Sequence, residues 1–307
     1  MPSTPSADSS FSLGKKPILH KPHFNLPLSI VDPEFLRDNW QKFHVIWKNA
    51  VDPADFVSTT EIEQQLQASL LRWPYFTLLK DGRQPPTETY TTSRDVIGQQ
   101  RPGYPDYSAI SQAMAQGASL KLNQVGDWHA STRRIRSELE AGLPTAVSSY
   151  VFWTPESGRG MLPHRDAAHV LAIQLEGKKA WDLYASDDQI KSNAGLDVDT
   201  LEPTHSFVME PGDVLYLPHG WPHVARAVDG PSMHLTFTMA EPTAADLTES
   251  LIDIFAARHP ELVDGFHRLE LTARAQAVLD AIALDAKTVS DDEWVETTLL
   301  RTRKEVG

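Results

Sequence analysis

The chain has 307 residues, enough for one large domain or two ordinary ones with a sizeable core. Hydrophobic residues make up 41% and charged residues 22%, which excludes wholesale disorder, and no apolar run reaches the length of a membrane span. Cysteine is absent, which removes disulfides, thiolate nucleophiles and Cys-ligated zinc; a formal charge of −13 argues against broad binding to nucleic-acid phosphates. With no export signal at the N-terminus, the chain reads as cytoplasmic.

Residues 1–25 are rich in Pro and Ser without periodicity and read as a flexible tail. Thr60-Glu61-Ile62-Glu63 has a capping-box pattern, with Ile62, Leu66 and Leu70 on one helix face. Residues 74–79 read as a strand ending at the Asp81-Gly82 turn, and the polar stretch 85–107 as a loop. A helix over 109–116 stops at Gly117, a strand follows over 118–125, and Ser131 caps a helix running to Gly142. From Val147 to Met239 the pattern changes to short strands, at 148–153, 170–175, 179–184, 214–217 and 234–239, with an acidic insert over 185–200. No βαβ alternation is present, so the expectation is a mainly β sandwich or barrel. After Pro242 the pattern is helical, and apolar Leu251, Phe255, Leu262 and Phe266 call for burial against the barrel or a second subunit.

His164-Arg165-Asp166 falls between two of these strands. Alone, a His-x-Asp triplet is weak, because chance supplies about one in a chain of this composition. Its significance rises with Glu210-Pro211-Gly212-Asp213-Val214-Leu215-Tyr216-Leu217-Pro218, a tight turn into a buried strand followed by Gly220-Trp221-Pro222-His223. In a small barrel His223 can face the His-x-Asp turn. Two imidazoles and a carboxylate on one face of a metal leave positions open for a co-substrate and dioxygen, which suits non-haem Fe(II). Beside an apolar run at 170–175 stand Lys178 and Lys179, which alternation sends to opposite faces; the residues alone leave open which points inward. An inward ammonium can pair with a carboxylate whose far end chelates the metal.

These blocks, with Gln174-Leu175-Glu176-Gly177-Lys178-Lys179-Ala180-Trp181 and Ser232-Met233-His234-Leu235-Thr236, resemble the JmjC-type cupin oxygenases, and most of all the ribosomal oxygenases. The resemblance is strong over residues 147–239 and looser upstream, at Phe35-Leu36-Arg37-Asp38-Asn39-Trp40 and Gly117-Ala118-Ser119-Leu120-Lys121-Leu122-Asn123. It implies a double-stranded β-helix, with N-terminal α/β elements, spanning residues 26–240, followed by a helical segment over 241–307 that mediates homodimerisation. It implies Fe(II) held by His164, Asp166 and His223, and 2-oxoglutarate as co-substrate with dioxygen. Lys179 rather than Lys178 falls on the residue that pairs with the distal carboxylate. Ser232 and His234 fall on the last core strand, near the co-substrate and metal, and Tyr150 and Thr154 are candidate pocket residues. His219 stands where relatives often have another residue and is a candidate neighbour of the metal site or a substrate contact; His169 and His205 receive no role.

The activity implied is hydroxylation of a side chain in a protein or peptide, with demethylation as a variant that begins from the same step. A ribosomal protein is the family's familiar target. Relatives continue into a winged-helix domain that this sequence does not include, which leaves a peptide natural product or another cellular protein as alternatives. Neither nucleic acid nor membrane is an expected partner. The contrasting readings are a non-catalytic cupin binding module and a metal-dependent cupin enzyme that does not use 2-oxoglutarate.

Overall fold

The computed structural model describes residues 29–68, 70–156, 160–185, 194–198, 200, 202–263 and 270–306. The N-terminal tail and Phe266 lie outside them. In chain order the elements are α1 (Pro33–Asp38), β1 (Val45–Trp47), α2 (Thr59–Ala68), β2 (Phe76–Leu79), β3 (Thr91–Val96), β4 (Gln99–Pro105), α3 (Tyr107–Ala115), β5 (Ser119–Asn123), α4 (Val125–Trp128), α5 (Ala130–Gly142), β6 (Ala146–Thr154), β7 (His169–Leu183), β8 (His205–Met209), β9 (Val214–Leu217), β10 (His223–Ala240), α6 (Ala244–Arg258), α7 (Pro260–Val263), α8 (Leu271–Thr288) and α9 (Asp291–Val306). No helix among the described residues is long and apolar enough to cross a membrane.

One antiparallel sheet dominates, in the order β1-β9-β7-β10-β6-β5-β2, with β8 also on β7. Its backbone is a pair of long strands. The two segments expected at 170–175 and 179–184 are one strand, β7, and the segment expected at 234–239 is the second half of β10. Strand β9 pairs with Val170–Ile173, and β8 with Lys179–Leu183. β6 runs beside β10 from Ser232 to Ala240. This is the double-stranded β-helix expected from the resemblance.

The apolar run at the start of β7 is buried on both faces. Leu171, Ile173 and Leu175 join the main core with Leu235, Phe237 and Met239. Val170 and Ala172 turn the other way, into a smaller cluster that also holds Trp181 and Leu183. Strict alternation would not put even-numbered 170 and 172 with odd-numbered 181 and 183; an irregularity between them does. The register with β10 shifts between Val228 and His234, and Gly177 sits there with φ +61°. A Cβ on Gly177 would lie 1.9 Å from the carbonyl oxygen of Pro231, so only glycine fits. Gln174 holds the same corner, donating from Nε2 to the Glu176 carbonyl at 2.8 Å and to Ser232 Oγ at 2.9 Å. Gly177→Ala is expected to destabilise the fold by about 3 kcal/mol or more, checked by urea unfolding.

The tight turn before β9 is fastened by Asp213. Its buried carboxylate accepts the backbone N–H groups of Asn49 (2.9 Å) and Glu210 (2.8 Å) and the Lys48 ammonium (2.7 Å). Burial pushes its pKa up, but these donors outweigh burial and hold it below the ordinary aspartate value. Its stabilisation is therefore present above the unfolded-state pKa and lost as pH falls through the lower folded one. Asp213→Ala is expected to cost about 2 kcal/mol at neutral pH and to flatten the acid limb of the stability curve, read by thermal unfolding from pH 3 to 7.

Several expectations need correction. The polar stretch 85–107 contains the β3–β4 hairpin, turning at Ile97 and Gly98, both with positive φ. Ile97 is 98% exposed, so the hairpin carries no buried period for the sequence to display. The capping box on α2 is Ser58 with Glu61, each bonding the other's backbone N–H, and α2 ends at Ala68, which leaves Leu70 exposed. His129, not Ser131, caps α5. Strands β1 and β8 were not expected at all; both are short edge strands. The helical expectation after Pro242 matches α6 to α9, with Thr243 and Asp246 forming a capping box on α6.

Candidate metal centre

His164 and His223 meet through their backbones. Each donates its N–H to the other's carbonyl, at 3.0 and 2.8 Å, an isolated antiparallel bridge that joins the His-x-Asp turn to the first residue of β10. The Gly220 N–H donates to the Asp166 carbonyl at 3.1 Å, and Gly220 has φ +73°, which lets the turn fold back onto that loop. From the other side Arg165, 7% exposed, exchanges two backbone hydrogen bonds with Gly195 and meets the Asp197 carboxylate at 2.5 Å. A short piece of the acidic insert thus braces the turn, a role the insert's composition did not signal.

The result is a convergent donor set. One ligand atom from each of His164, Asp166 and His223 lies within 4.8 Å of the others, and among the described residues this is the one such group of three. Asp166 faces both imidazoles, with each carboxylate oxygen 3.7 Å from one Nε2. Each His Nδ1 lies 2.8 Å from a backbone carbonyl, Leu162 for His164 and Trp221 for His223. A carbonyl can only accept, so Nδ1 carries the proton and Nε2 turns its lone pair inward. Burial, then the neighbouring His164, pushes the pKa of His223 down to about 4 against the opposing effect of Asp166, so the imidazole is a neutral ligand at physiological pH. Two tautomer-fixed imidazoles and one carboxylate, with no fourth protein ligand among the described residues, fit a ferrous ion that keeps open positions.

The donors open into a cavity lined by Lys121, Tyr150, Phe152, Thr154, Lys179, Trp181, His234, Thr236 and Thr238, among others. Lys179 is 2% exposed. Its Nζ lies 2.7 Å from His234 Nδ1 and 3.4 Å from Thr154 Oγ1, and it makes no ion pair among the described residues. Desolvation pushes its pKa down to about 7. Burial, then Lys179 and His223, holds the His234 pKa well below its ordinary value, so the neutral ring accepts from the ammonium. The irregularity at Gly177 decides the lysine question: Lys178 points out, 3.1 Å from Glu210. Phe152 stacks on His234 at 5.1 Å, and Trp181 on His223 at 5.7 Å.

Of the expected pocket residues, Tyr150, Thr154 and His234 line the cavity, but Ser232 does not. It stands opposite Thr154 in the unbroken β6–β10 register, on the face that carries His234, but its Oγ accepts from Gln174 Nε2 at the end of that face. His219 stays outside the donor group; its backbone N–H donates to His169 Nδ1 at 3.1 Å. His169 is wholly buried, stacked on Trp40 at 3.8 Å and bonded to the Tyr216 hydroxyl at 3.0 Å, behind the loop that bears His223. Sequence reasoning missed Lys121, Phe152 and Trp181. The last two were findable, since each lies two residues along a strand from an expected pocket residue.

Fold and donor set define a cupin with a His-x-Asp…His facial group. Residues 127–247 match the JmjC domain family. The chain is 27% identical over 235 residues to the bifunctional lysine-specific demethylase and histidyl-hydroxylase NO66 of Drosophila persimilis, covering 72% of this chain and 32% of that protein. It is 34% identical over 125 residues to ribosomal oxygenase 2 of Rattus norvegicus, covering 39% and 27%. Among solved structures it is similar to YcfD of Escherichia coli, at 21% identity and TM-score 0.58 over 85% of this chain and 69% of that one. It is also similar to the complex of the ribosomal oxygenase YcfD of Escherichia coli with cobalt and 2-oxoglutarate, at 19% identity and TM-score 0.55 over 87% and 70%. The match to the JmjC domain family thus covers residues 127–247, proteins named ribosomal oxygenases are among the similar ones, and the chain spans about a quarter to a third of the length of these curated relatives.

Proposed function

We propose that this chain is a 2-oxoglutarate-dependent, Fe(II)-dependent hydroxylase of a protein or peptide side chain. The observation that carries the reading is the shared cavity: a facial donor group with its lone pairs turned inward stands in the same space as a buried ammonium that has no anionic partner among the described residues. His164, Asp166 and His223 would hold the iron, and the leaving of His223 neutral at working pH keeps that donor available. Lys179 would bind the distal carboxylate of 2-oxoglutarate, with the Thr154 hydroxyl beside it. His234 and Phe152 would form the wall against the co-substrate chain, and Trp181 would orient the His223 ring and keep water from the buried side. Iron with 2-oxoglutarate and dioxygen supplies oxidative decarboxylation coupled to C–H hydroxylation.

A non-catalytic cupin leaves Lys179 without purpose, since burying an unpaired ammonium costs stability that an apolar residue would not. A cupin enzyme that does not use 2-oxoglutarate leaves it equally unexplained. The relatives named ribosomal oxygenases favour a ribosomal protein as substrate. The test is succinate formation from 2-oxoglutarate in the presence of Fe(II) and air, with a library of ribosomal-protein peptides screened for a gain of one oxygen. Succinate in the wild type but not in His164→Ala is the expected result; equal background in both overturns the reading.

We also propose a cytoplasmic homodimer through the helical segment after residue 240. Leu271, Leu279, Leu284 and Leu300 are each more than half exposed on α8 and α9, more large apolar surface than a solvated helical pair needs. Light scattering at micromolar concentration should return twice the chain mass of 34.2 kDa; a mass near 34.2 kDa contradicts the dimer.

A further inference from the structure

The cavity holds a second cation that the reading above does not use. Lys121 stands on β5, opposite Phe152 of β6 in the ladder. Its Nζ lies 4.5 Å from the centroid of the Tyr150 ring and 5.5 Å from that of Phe152. Phe152 in turn stacks on His234, which receives the Lys179 ammonium. The Phe152 ring thus lies between the two lysines. Lys179 and His234 occupy the closed side, while Lys121 and Tyr150 occupy the other, where Lys121 keeps partial exposure to solvent. No hydrogen bond or ion pair to Lys121 is present among the described residues, and the aromatic faces are its neighbours. Burial lowers its pKa, and the acidic group that opposes this is Asp166 of the donor set, so Lys121 is electrostatically close to the metal centre. An ammonium of this kind gains from a hydrogen-bond acceptor brought alongside and loses from a second cation.

We infer that Lys121 and Tyr150 form the subsite that receives the substrate side chain, and that they select a side chain bearing an acceptor and no positive charge: a carboxylate, a carboxamide or a neutral imidazole. The inference rests on the hydroxylase reading and deepens it. Lysine, methylated lysine and arginine side chains are disfavoured, because their charge would enter a water-poor wall beside Lys121. Tyr150 supplies an apolar face against the side-chain methylenes and a hydroxyl at its edge. Lys121 is a specificity-determining residue in this arrangement and takes no part in holding iron or 2-oxoglutarate.

The test uses saturation-transfer NMR on the full chain loaded with Zn(II) and 2-oxoglutarate at pH 8, a redox-inert complex that does not turn over. The probes are the N-acetyl, N-methylamide derivatives of Asp, Asn, His, Leu, Lys and Arg. In the wild type the Asp, Asn and His probes are expected to bind at least tenfold more tightly than Lys and Arg. Lys121→Met should bring the series together, and Lys121→Glu should reverse it in favour of Lys and Arg. Saturation of 2-oxoglutarate itself should stay the same in all three proteins, which also shows that the variants are folded. Preference for Lys or Arg in the wild type, no binding by any probe, or an order unchanged by Lys121→Glu overturns the inference while the hydroxylase reading stands. Loss of the 2-oxoglutarate signal in the wild type overturns the reading beneath it as well.

Discussion

His223→Ala is expected to lower metal affinity by more than about 100-fold and to abolish turnover. The substitution removes one of three donors and leaves the frame that presents the other two. The backbone bridge between His164 and His223 uses main-chain atoms alone, so alanine keeps it. The His164 lone pair stays aimed by the Leu162 carbonyl, and Asp166 stays beneath the Gly220 turn. What is lost is a neutral, desolvated imidazole whose charged form is suppressed at every pH above about 4. Metal loss in second-sphere variants is ordinarily tenfold to 100-fold, and loss of a ligand itself exceeds that range. Binding of Co(II) followed by its visible absorption, with circular dichroism to check the fold, reads the effect directly.

Lys179→Met is expected to do two opposite things. It should weaken 2-oxoglutarate binding by about 100-fold, with little change in metal affinity, because a buried charge-assisted pair is lost. It should also stabilise the unliganded protein. The sign follows from linkage: Lys179 has its folded pKa pushed down to about 7, below the unfolded value of about 10.4. Burial therefore carries a penalty that is fully present below pH 7 and fades as pH rises towards the unfolded pKa. Methionine removes the penalty, a gain of a few kcal/mol at pH 6 and less at pH 9. In the wild type the same titration should make 2-oxoglutarate bind more weakly as pH rises above 7, and the variant should lose that dependence. Thermal unfolding with and without 2-oxoglutarate, at pH 6 and pH 9, separates the two effects.

Both residues were legible in the sequence, and for different reasons. For His164, Asp166 and His223 the His-x-Asp triplet alone was a weak signal; the turn-and-strand block before His223 strengthened it, and the resemblance named the three as the ligand set. Their backbone bridge then makes the meeting of the two imidazoles a consequence of local folding. Lys179 was legible only through resemblance. Counting by twos from the buried run at Val170 and Ala172 would have turned Lys178 inward. The irregularity at Gly177 inverts that count, and the glycine is needed because the Pro231 carbonyl leaves no room for a Cβ. Beside it, Gln174 donates to Ser232 Oγ, and Ser232 is not among the residues that line the cavity. Period-two reasoning assumes an uninterrupted ladder, and the longest strands of this fold are the interrupted ones.

Elsewhere the sequence was silent for want of burial. The β3–β4 hairpin exposes most of its side chains, so no apolar alternation marks it, and β1 and β8 are too short to show a period. The brace formed by Arg165, Gly195 and Asp197 depends on a contact across some thirty positions of sequence that no local pattern encodes. Nothing in the sequence marks Lys121; its placement beside two aromatic rings inside the cavity is what distinguishes it.

The central claim is that His164, Asp166, His223 and Lys179 act on one Fe(II) and one 2-oxoglutarate. Anaerobic titration of the metal-free protein with Fe(II) and 2-oxoglutarate, followed by visible absorption, tests it most directly. The expected result is a metal-to-ligand charge-transfer band that saturates at one equivalent of each, is lost in His223→Ala, and needs far more 2-oxoglutarate in Lys179→Met. Iron shown to be bound at the three ligands, with no such band at any 2-oxoglutarate concentration, would contradict it.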